Sequence, residues 1–175
     1  MIDNSLLPDH QKMDSQITFD YSNVGQLLSK KVQENSNKTF LICPGKKTDK
    51  FTYLEFKSLV DKTIKFLKHI DLKKNDKIAL IFHNSPEFLI LYFAGLTMGL
   101  TIVPINPDMA QREIKFIIEN SKSNAVFYVD KLESKINEIS NFYDKIKFKK
   151  IESINDLALS NEDKLEIQNI EVGLT

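Results

Sequence analysis

The feature that most constrains this chain is an apolar stretch over residues 78–105, in which Glu87 is the only acid and no Lys or Arg occurs. A polar segment, HNSPE at residues 83–87, divides the stretch. Neither part is long enough to cross about 30 Å of hydrocarbon as a helix. We therefore predict a buried strand over 77–82, with the pattern of a central parallel strand, followed by a buried helix over 87–98.

The rest of the chain continues this alternation of strand and helix. Asn23 and Thr52 each precede a segment whose apolar residues have the spacing of an amphipathic helix. Thr52 also stands three residues before Glu55, as in a capping box. Strands that alternate with helices predict right-handed crossovers and an α/β fold, with a mainly parallel sheet covered by helices on both faces. The predicted strands are 39–43, 77–82, 101–105, 125–129 and 145–151, and the predicted helices are 24–34, 53–70, 87–98, 111–120, 131–142 and 155–159.

The length of 175 residues predicts one domain. Residues 1–16 are polar and show no periodic pattern, so we predict a loose leader there and a single α/β subdomain over 17–175. The apolar core of a secretory signal is missing near the N-terminus, and no segment predicts a transmembrane helix. Cys43 is the only cysteine, which excludes an internal disulfide and favours a reducing, cytoplasmic location. The 24 Lys and Arg balance the 24 Asp and Glu, and only one of the cations is Arg, so a nucleic-acid-binding protein is not expected.

No catalytic constellation is visible in the sequence. The five glycines form no phosphate cradle, the three histidines lack metal-ligand spacing, and no serine lies in a hydrolase elbow. His83 follows a predicted central strand, where α/β folds hold ligands, although a histidine there also serves to satisfy the strand-to-helix turn. Lys145, Lys147, Lys149 and Lys150 are interpreted as one basic face of a solvated edge strand rather than a nucleic-acid site.

Five segments nevertheless occur in a recognisable order and spacing. They are FTYxE at 51–55, KxNDKIAL at 73–80, NSPEF at 84–88, GLTIVPINP at 99–107 and EIxFIIxNS at 113–121. Together they resemble the N-terminal subdomain of the AMP-forming acyl- and aryl-CoA synthetases, the adenylate-forming ligases. The resemblance covers about residues 24–129 and, more weakly, the tail.

The resemblance implies that the chain is an N-terminal fragment that ends just before the family's phosphate-binding loop. The parent would join a carboxylic acid, fatty or otherwise hydrophobic, to a thiol. The carboxylate attacks the α-phosphorus of Mg·ATP to give an acyl-adenylate, and the thiol of coenzyme A then displaces AMP. This segment would be scaffold with no catalytic residue or metal ligand of its own, and the acid, ATP, Mg²⁺ and coenzyme A would bind through the missing part.

The resemblance also places the Asn106-Pro107 turn near the coenzyme A face. Several ligases of the family have a basic residue next, where this chain has Asp108, so coenzyme A contact from this turn is open; Arg112 could substitute, or could be an ordinary helix-surface arginine. Two other functions stay open: the adenylation domain of a peptide synthetase, which passes its acyl group to a carrier protein, and a small α/β interaction module. The sequence indicates neither the acid nor the oligomeric state.

Overall fold

The computed structural model describes residues 20–45 and 50–158. The predicted leader at 1–16, the end of the predicted helix 155–159 and the polar tail lie outside the described residues. The helices are α1 Val24–Asn35, α2 Tyr53–His69, α3 Pro86–Met98, α4 Gln111–Ser121 and α5 Glu133–Ser140, with 3₁₀ turns at Asp130–Leu132 and Ile154–Leu157. The strands are β1 Thr39–Ile42, β2 Lys50–Thr52, β3 Lys77–Ile81, β4 Thr101–Ile105, β5 Ala125–Val129 and β6 Lys147–Ile151.

Four of the strands form one parallel sheet in the order β4-β3-β5-β6. In its register, Ile78 of β3 lies opposite Ile102 of β4 on one side and Ala125 of β5 on the other. The predicted parallel neighbours 77–82, 101–105 and 125–129 are therefore confirmed. Because all four strands run the same way, every loop that follows a strand emerges at the same edge of the sheet.

Alternate residues of the central strands point to two separate cores. Ile78 and Leu80 of β3 face α1, α2 and α3, whereas Ala79 and Ile81 face α4 and α5. All four of these side chains are buried. The continuous apolar pattern of this strand thus reflects a sheet covered on both faces, as predicted.

Helix α3 is held tightly against the sheet. The Ser85 hydroxyl caps its first turn by accepting the Phe88 N–H at 3.2 Å, with Pro86 next in the helix. A Cβ on Gly95 would lie 2.5 Å from Cδ1 of Ile102, so a side chain there would force the Ile102 side chain to shift. Gly99 ends the helix with a φ of +74°, a conformation that favours glycine.

Three expectations about secondary structure need correction. Residues 50–52 form β2, which pairs antiparallel with β1, although no strand was predicted there. The helix expected over 131–142 is a 3₁₀ turn followed by the shorter α5, and the weak helix expected over 155–159 is the 3₁₀ turn Ile154–Leu157.

No helix within the described ranges is long and apolar enough to cross a membrane.

The predicted lysine row does not lie on one face. In β6, Lys147 and Ile151 lie on the α2 side, where Lys147 Nζ donates to the Ile70 carbonyl at the end of α2. Lys150 points to the opposite side and binds Glu133 of α5. The alternation of a strand separates adjacent residues, so Lys149 and Lys150 could not share a face.

The capping box at the start of α2 gives a prediction about pH. Thr52 donates its N–H (2.8 Å) and its hydroxyl (2.9 Å) to Glu55 Oε2, and these bonds lower the pKa of Glu55 from its ordinary value of 4.5. A lowered folded-state pKa stabilises the fold above that ordinary value, and this stabilisation is lost as the pH falls through the lowered pKa. We expect Glu55→Gln to lose less stability than the unsubstituted chain between about pH 5 and about pH 3 in denaturant melts.

Thr52→Ala serves as the control, because it removes the donor hydroxyl while leaving the carboxylate. It should cost about 1 kcal/mol at neutral pH through loss of the N-cap. An unchanged pH dependence in Glu55→Gln would contradict the assignment of this carboxylate to the cap.

Candidate functional site

The carboxyl edge of the parallel sheet contains a topological switch point. The chain leaves β3 towards α3 on one face and leaves β5 towards α5 on the other, although β3 and β5 are neighbours. Open α/β sheets bind ligands in the crevice that such diverging loops create. A crevice of about 420 Å³ occurs here, and its polar lining is formed by His83, Asn84, Ser85, Glu87, Asp130, Lys131 and Glu152.

A second hollow adjoins the crevice at the ends of β3 and β4. It has a volume of about 370 Å³, and Phe82, Phe88 and Pro107 give it an apolar wall. His83 and Asn84 line both hollows, so the HN dipeptide after β3 forms the boundary between them. The structure thus places His83 at the carboxyl edge of the sheet, where α/β folds hold ligands. The first turn of α3 is capped by Ser85 rather than by this histidine.

The Asn106-Pro107 motif forms a fastened turn at the end of β4. Asn106 accepts the Asp108 N–H on its side-chain oxygen at 2.9 Å and the Met109 N–H on its carbonyl at 3.2 Å. Lys135 of α5 donates to the carbonyls of Pro107 at 3.3 Å and Met109 at 3.0 Å. The turn is therefore stabilised by hydrogen bonds to Asn106 within it and by hydrogen bonds from Lys135 of the neighbouring helix α5.

The two residues singled out from the sequence occupy different surroundings at this edge. Asp108 Oδ1 lies 3.7 Å from His83 Nε2, and both side chains are largely exposed. Arg112 lies in the first turn of α4 with an exposed side chain and makes no hydrogen bond or ion pair with any described residue. The fold therefore brings Asp108 next to His83, which lines both hollows, and leaves Arg112 exposed in the first turn of α4 at the same edge.

Lys150 forms ion pairs with three carboxylates at the other end of the crevice. Its Nζ lies 3.0 Å from Asp130, 3.1 Å from Glu133 and 3.0 Å from Glu152. Hydrogen bonds to Asp130, then Glu152 and Glu133, raise the pKa of Lys150 well above its ordinary value, so this lysine stays charged. One ammonium group thus connects the 3₁₀ turn after β5, α5 and the segment after β6.

Sequence reasoning did not find this cluster. Asp130 and Glu152 each follow a predicted strand directly, so a search of all strand ends would have placed them at one edge. The roles of Lys150 and Lys135 had no such signal, because they depend on how α5 packs. Among the described residues, no group of three histidine, cysteine or acidic side chains is arranged to hold a metal ion.

Comparisons with known proteins find relatives that match much of this chain. A family model described as AMP-binding enzyme matches residues 28–171. The crotonobetaine/carnitine–CoA ligase of Escherichia fergusonii is 33% identical over 89 residues, which cover 50% of this chain and 17% of the ligase. The corresponding ligase of Escherichia coli O157:H7 matches with the same identity and coverage.

Solved structures share the fold. The N-terminal domain of FACL13 from Mycobacterium tuberculosis superimposes with a TM-score of 0.72 and 25% identity, over 81% of this chain and 38% of that domain. A fatty acyl CoA synthetase of Mycobacterium tuberculosis gives a TM-score of 0.70 and 26% identity, over 77% of this chain and 28% of the synthetase. The chain thus spans 17% of the length of the curated relatives and under two-fifths of these solved chains.

Proposed function

Because the chain belongs to the AMP-binding enzyme family of adenylate-forming acyl-CoA ligases, we propose that it is part of a ligase. This ligase activates a hydrophobic or fatty carboxylic acid with ATP and passes the acyl group to coenzyme A. The family match over residues 28–171 carries this proposal. Fatty acid as the substrate and coenzyme A as the acceptor rest on the names of the related proteins.

The reaction proceeds in two steps. A carboxylate oxygen attacks the α-phosphorus of ATP, so that pyrophosphate leaves and an acyl-adenylate forms. The thiol sulfur then attacks the acyl carbon, the bond to AMP breaks, and the thiol proton is released. ATP use follows from the family, whereas no metal-binding role is assigned to the described residues, since they present no suitable cluster of ligands.

In this proposal the chain is one layer of a larger catalytic domain, and its carboxyl edge faces the thiol acceptor. The crevice at the switch point and the fastened turn at Asn106 support that role. Stabilising a triphosphate requires N–H donors and positioned cations. The described glycines lie in α1, in the β1–β2 connection, in α3 and at its end, so they form no phosphate cradle.

Acid-dependent exchange of pyrophosphate into ATP tests the proposal. The complete reading frame should catalyse exchange with a medium-chain or long-chain fatty acid, and residues 1–175 assayed alone should catalyse none. Exchange by residues 1–175 would show that they contain the catalytic groups after all. Failure of the complete reading frame with fatty, aromatic and betaine acids would contradict the ligase function.

A further inference from the structure

A further hollow lies at the amino edge of the parallel sheet, opposite the edge that holds the candidate site. It has a volume of about 600 Å³ and opens between the ends of α2 and α3 and the loop that leads from α2 into β3. This volume is within the range of pockets that hold small ligands. The crevice and the hollow at the carboxyl edge share no lining residue with it.

The floor of this hollow is apolar. Ile64 of α2 and Met98 of α3 line it and are half-buried, and Leu72 of the loop is buried with 3% of its surface exposed. Apolar side chains account for most of the lining surface. Because covering half-buried apolar groups is favourable, the floor favours a ligand with a hydrocarbon part.

The rim of the hollow is positively charged. It contains three lysines and one aspartate, and the aspartate, Asp71, pairs with Lys73 at 3.0 Å. Lys68 and Lys74 are exposed, and their ammonium groups make no hydrogen bond or ion pair with a described residue. The ends of α2 and α3 together add about one negative charge, which is less than the charge of these two lysines, so the rim favours an anion.

The structure of the loop fixes the position of Lys74. The Asn75 N–H donates to the Gly99 carbonyl at 3.0 Å, and the Lys73 N–H donates to the Asp76 carboxylate at 2.8 Å. A Cβ on Gly99 would lie 3.1 to 3.7 Å from three carbons of the Lys74 side chain, so the stem of this lysine packs along the glycine. A cation held in this way loses less conformational freedom when a ligand binds.

We propose that this hollow binds a single-chain anionic amphiphile, of which a fatty acid anion is the simplest example. The hydrocarbon chain covers Ile64 and Met98, and the acidic head lies at Lys68 and Lys74. The lysines disfavour a cationic amphiphile, and the apolar floor disfavours an anion without a chain. The inference goes beyond the proposed ligase function and does not rest on it, because it concerns binding at the opposite edge of the sheet.

Methyl NMR signals of methionine test the site directly. The chain has four methionines, of which Met98 lines the hollow and Met109 lies in the turn at the carboxyl edge. Monomeric dodecanoate should shift the Met98 signal in a saturable manner and leave the Met109 signal unchanged, with Met98→Leu and Met109→Leu assigning the signals. Butanoate, which has the same head and a shorter chain, should bind at least about tenfold more weakly. Dodecyltrimethylammonium should bind more weakly than dodecanoate.

Lysine variants test the rim. Lys68→Gln and Lys74→Gln should each weaken dodecanoate binding about fivefold, because each removes one positive charge from the rim. Lys62→Gln is the matched control, since Lys62 is an exposed lysine of α2 that does not line the hollow. All three variants should unfold at the same urea concentration as the unsubstituted chain, which separates a loss of binding from a loss of folding.

Three results would overturn the inference. The first is a Met98 signal that stays unchanged at high dodecanoate, or that shifts no more than the Met109 signal. The second is equal weakening by Lys62→Gln and Lys74→Gln, because binding would then follow net charge rather than the hollow. The third is binding to phosphatidylglycerol vesicles without binding of monomeric dodecanoate, because this edge would then dock on a bilayer instead of holding one amphiphile.

Discussion

Replacing Phe56 by alanine should lower the free energy of unfolding of this chain by about 3–5 kcal/mol. Phe56 lies in α2 with no exposed surface, and its ring is 4.7 Å from that of Phe40 and 5.2 Å from that of Phe93, centre to centre. The second contact is perpendicular, a favourable geometry for aromatic pairs. The truncation removes these contacts and leaves a cavity where α2, α3 and β1 meet.

Urea denaturation of residues 1–175 measures this change, with Phe116→Ala as the matched control. Phe116 lies in α4 with 64% of its surface exposed, so the same substitution should change stability by less than about 0.5 kcal/mol. Equal effects of the two substitutions would contradict the packing of α2 and α3 described above.

Leu91→Ala should destabilise the chain by about 2–5 kcal/mol. Leu91 is fully buried in the middle of α3 and belongs to the core that includes Ile78 and Leu80 of β3. Because α3 and β3 are both rigid elements, the cavity cannot close easily, and the cost should include the lost contacts as well as the transfer of the removed methyl groups.

Two leucine variants control for this effect. Leu91→Met keeps most of the side-chain volume and should cost less than about 1.5 kcal/mol. Leu54→Ala removes the same groups from a half-exposed position at the start of α2 and should have an effect below about 0.5 kcal/mol. A loss below about 0.5 kcal/mol for Leu91→Ala would mean that α3 is exposed, against both the sequence pattern and the structure.

The elements that the sequence predicted well are those with strong local signals. The apolar run of β3 and the capping box of α2 each depend on neighbouring residues alone. The strand β2 had no such signal, because three residues form a strand there only by pairing with β1. The later start of α5 was likewise not predicted, because residues 130–132 form a 3₁₀ turn directly after β5 and the α-helix begins only at Glu133.

The candidate site was predictable only in outline. Parallel strands imply that ligands bind at their carboxyl ends, and on that basis His83 was a candidate before the fold was known. Asp108 and His83, which lie close together, follow two different strands. Lys150 of β6 contacts residues of the 3₁₀ turn after β5 and of α5. No spacing in the sequence encodes those contacts, so the distribution of charge at the edge could not be anticipated.

For this protein, the sequence by itself determined the type and order of most elements, the two-sided burial of the central strand and the parallel sheet. These follow from periodicity, capping and the alternation of strands with helices, all of which act over a few residues or through general rules of chain connection. Only the tertiary structure decided the strand order, the crevice where loops diverge at the switch point, and the engagement of Lys135 and Lys150. These depend on which distant segments pack together, because the same charged side chain can face a carbonyl, a carboxylate or water according to its neighbours.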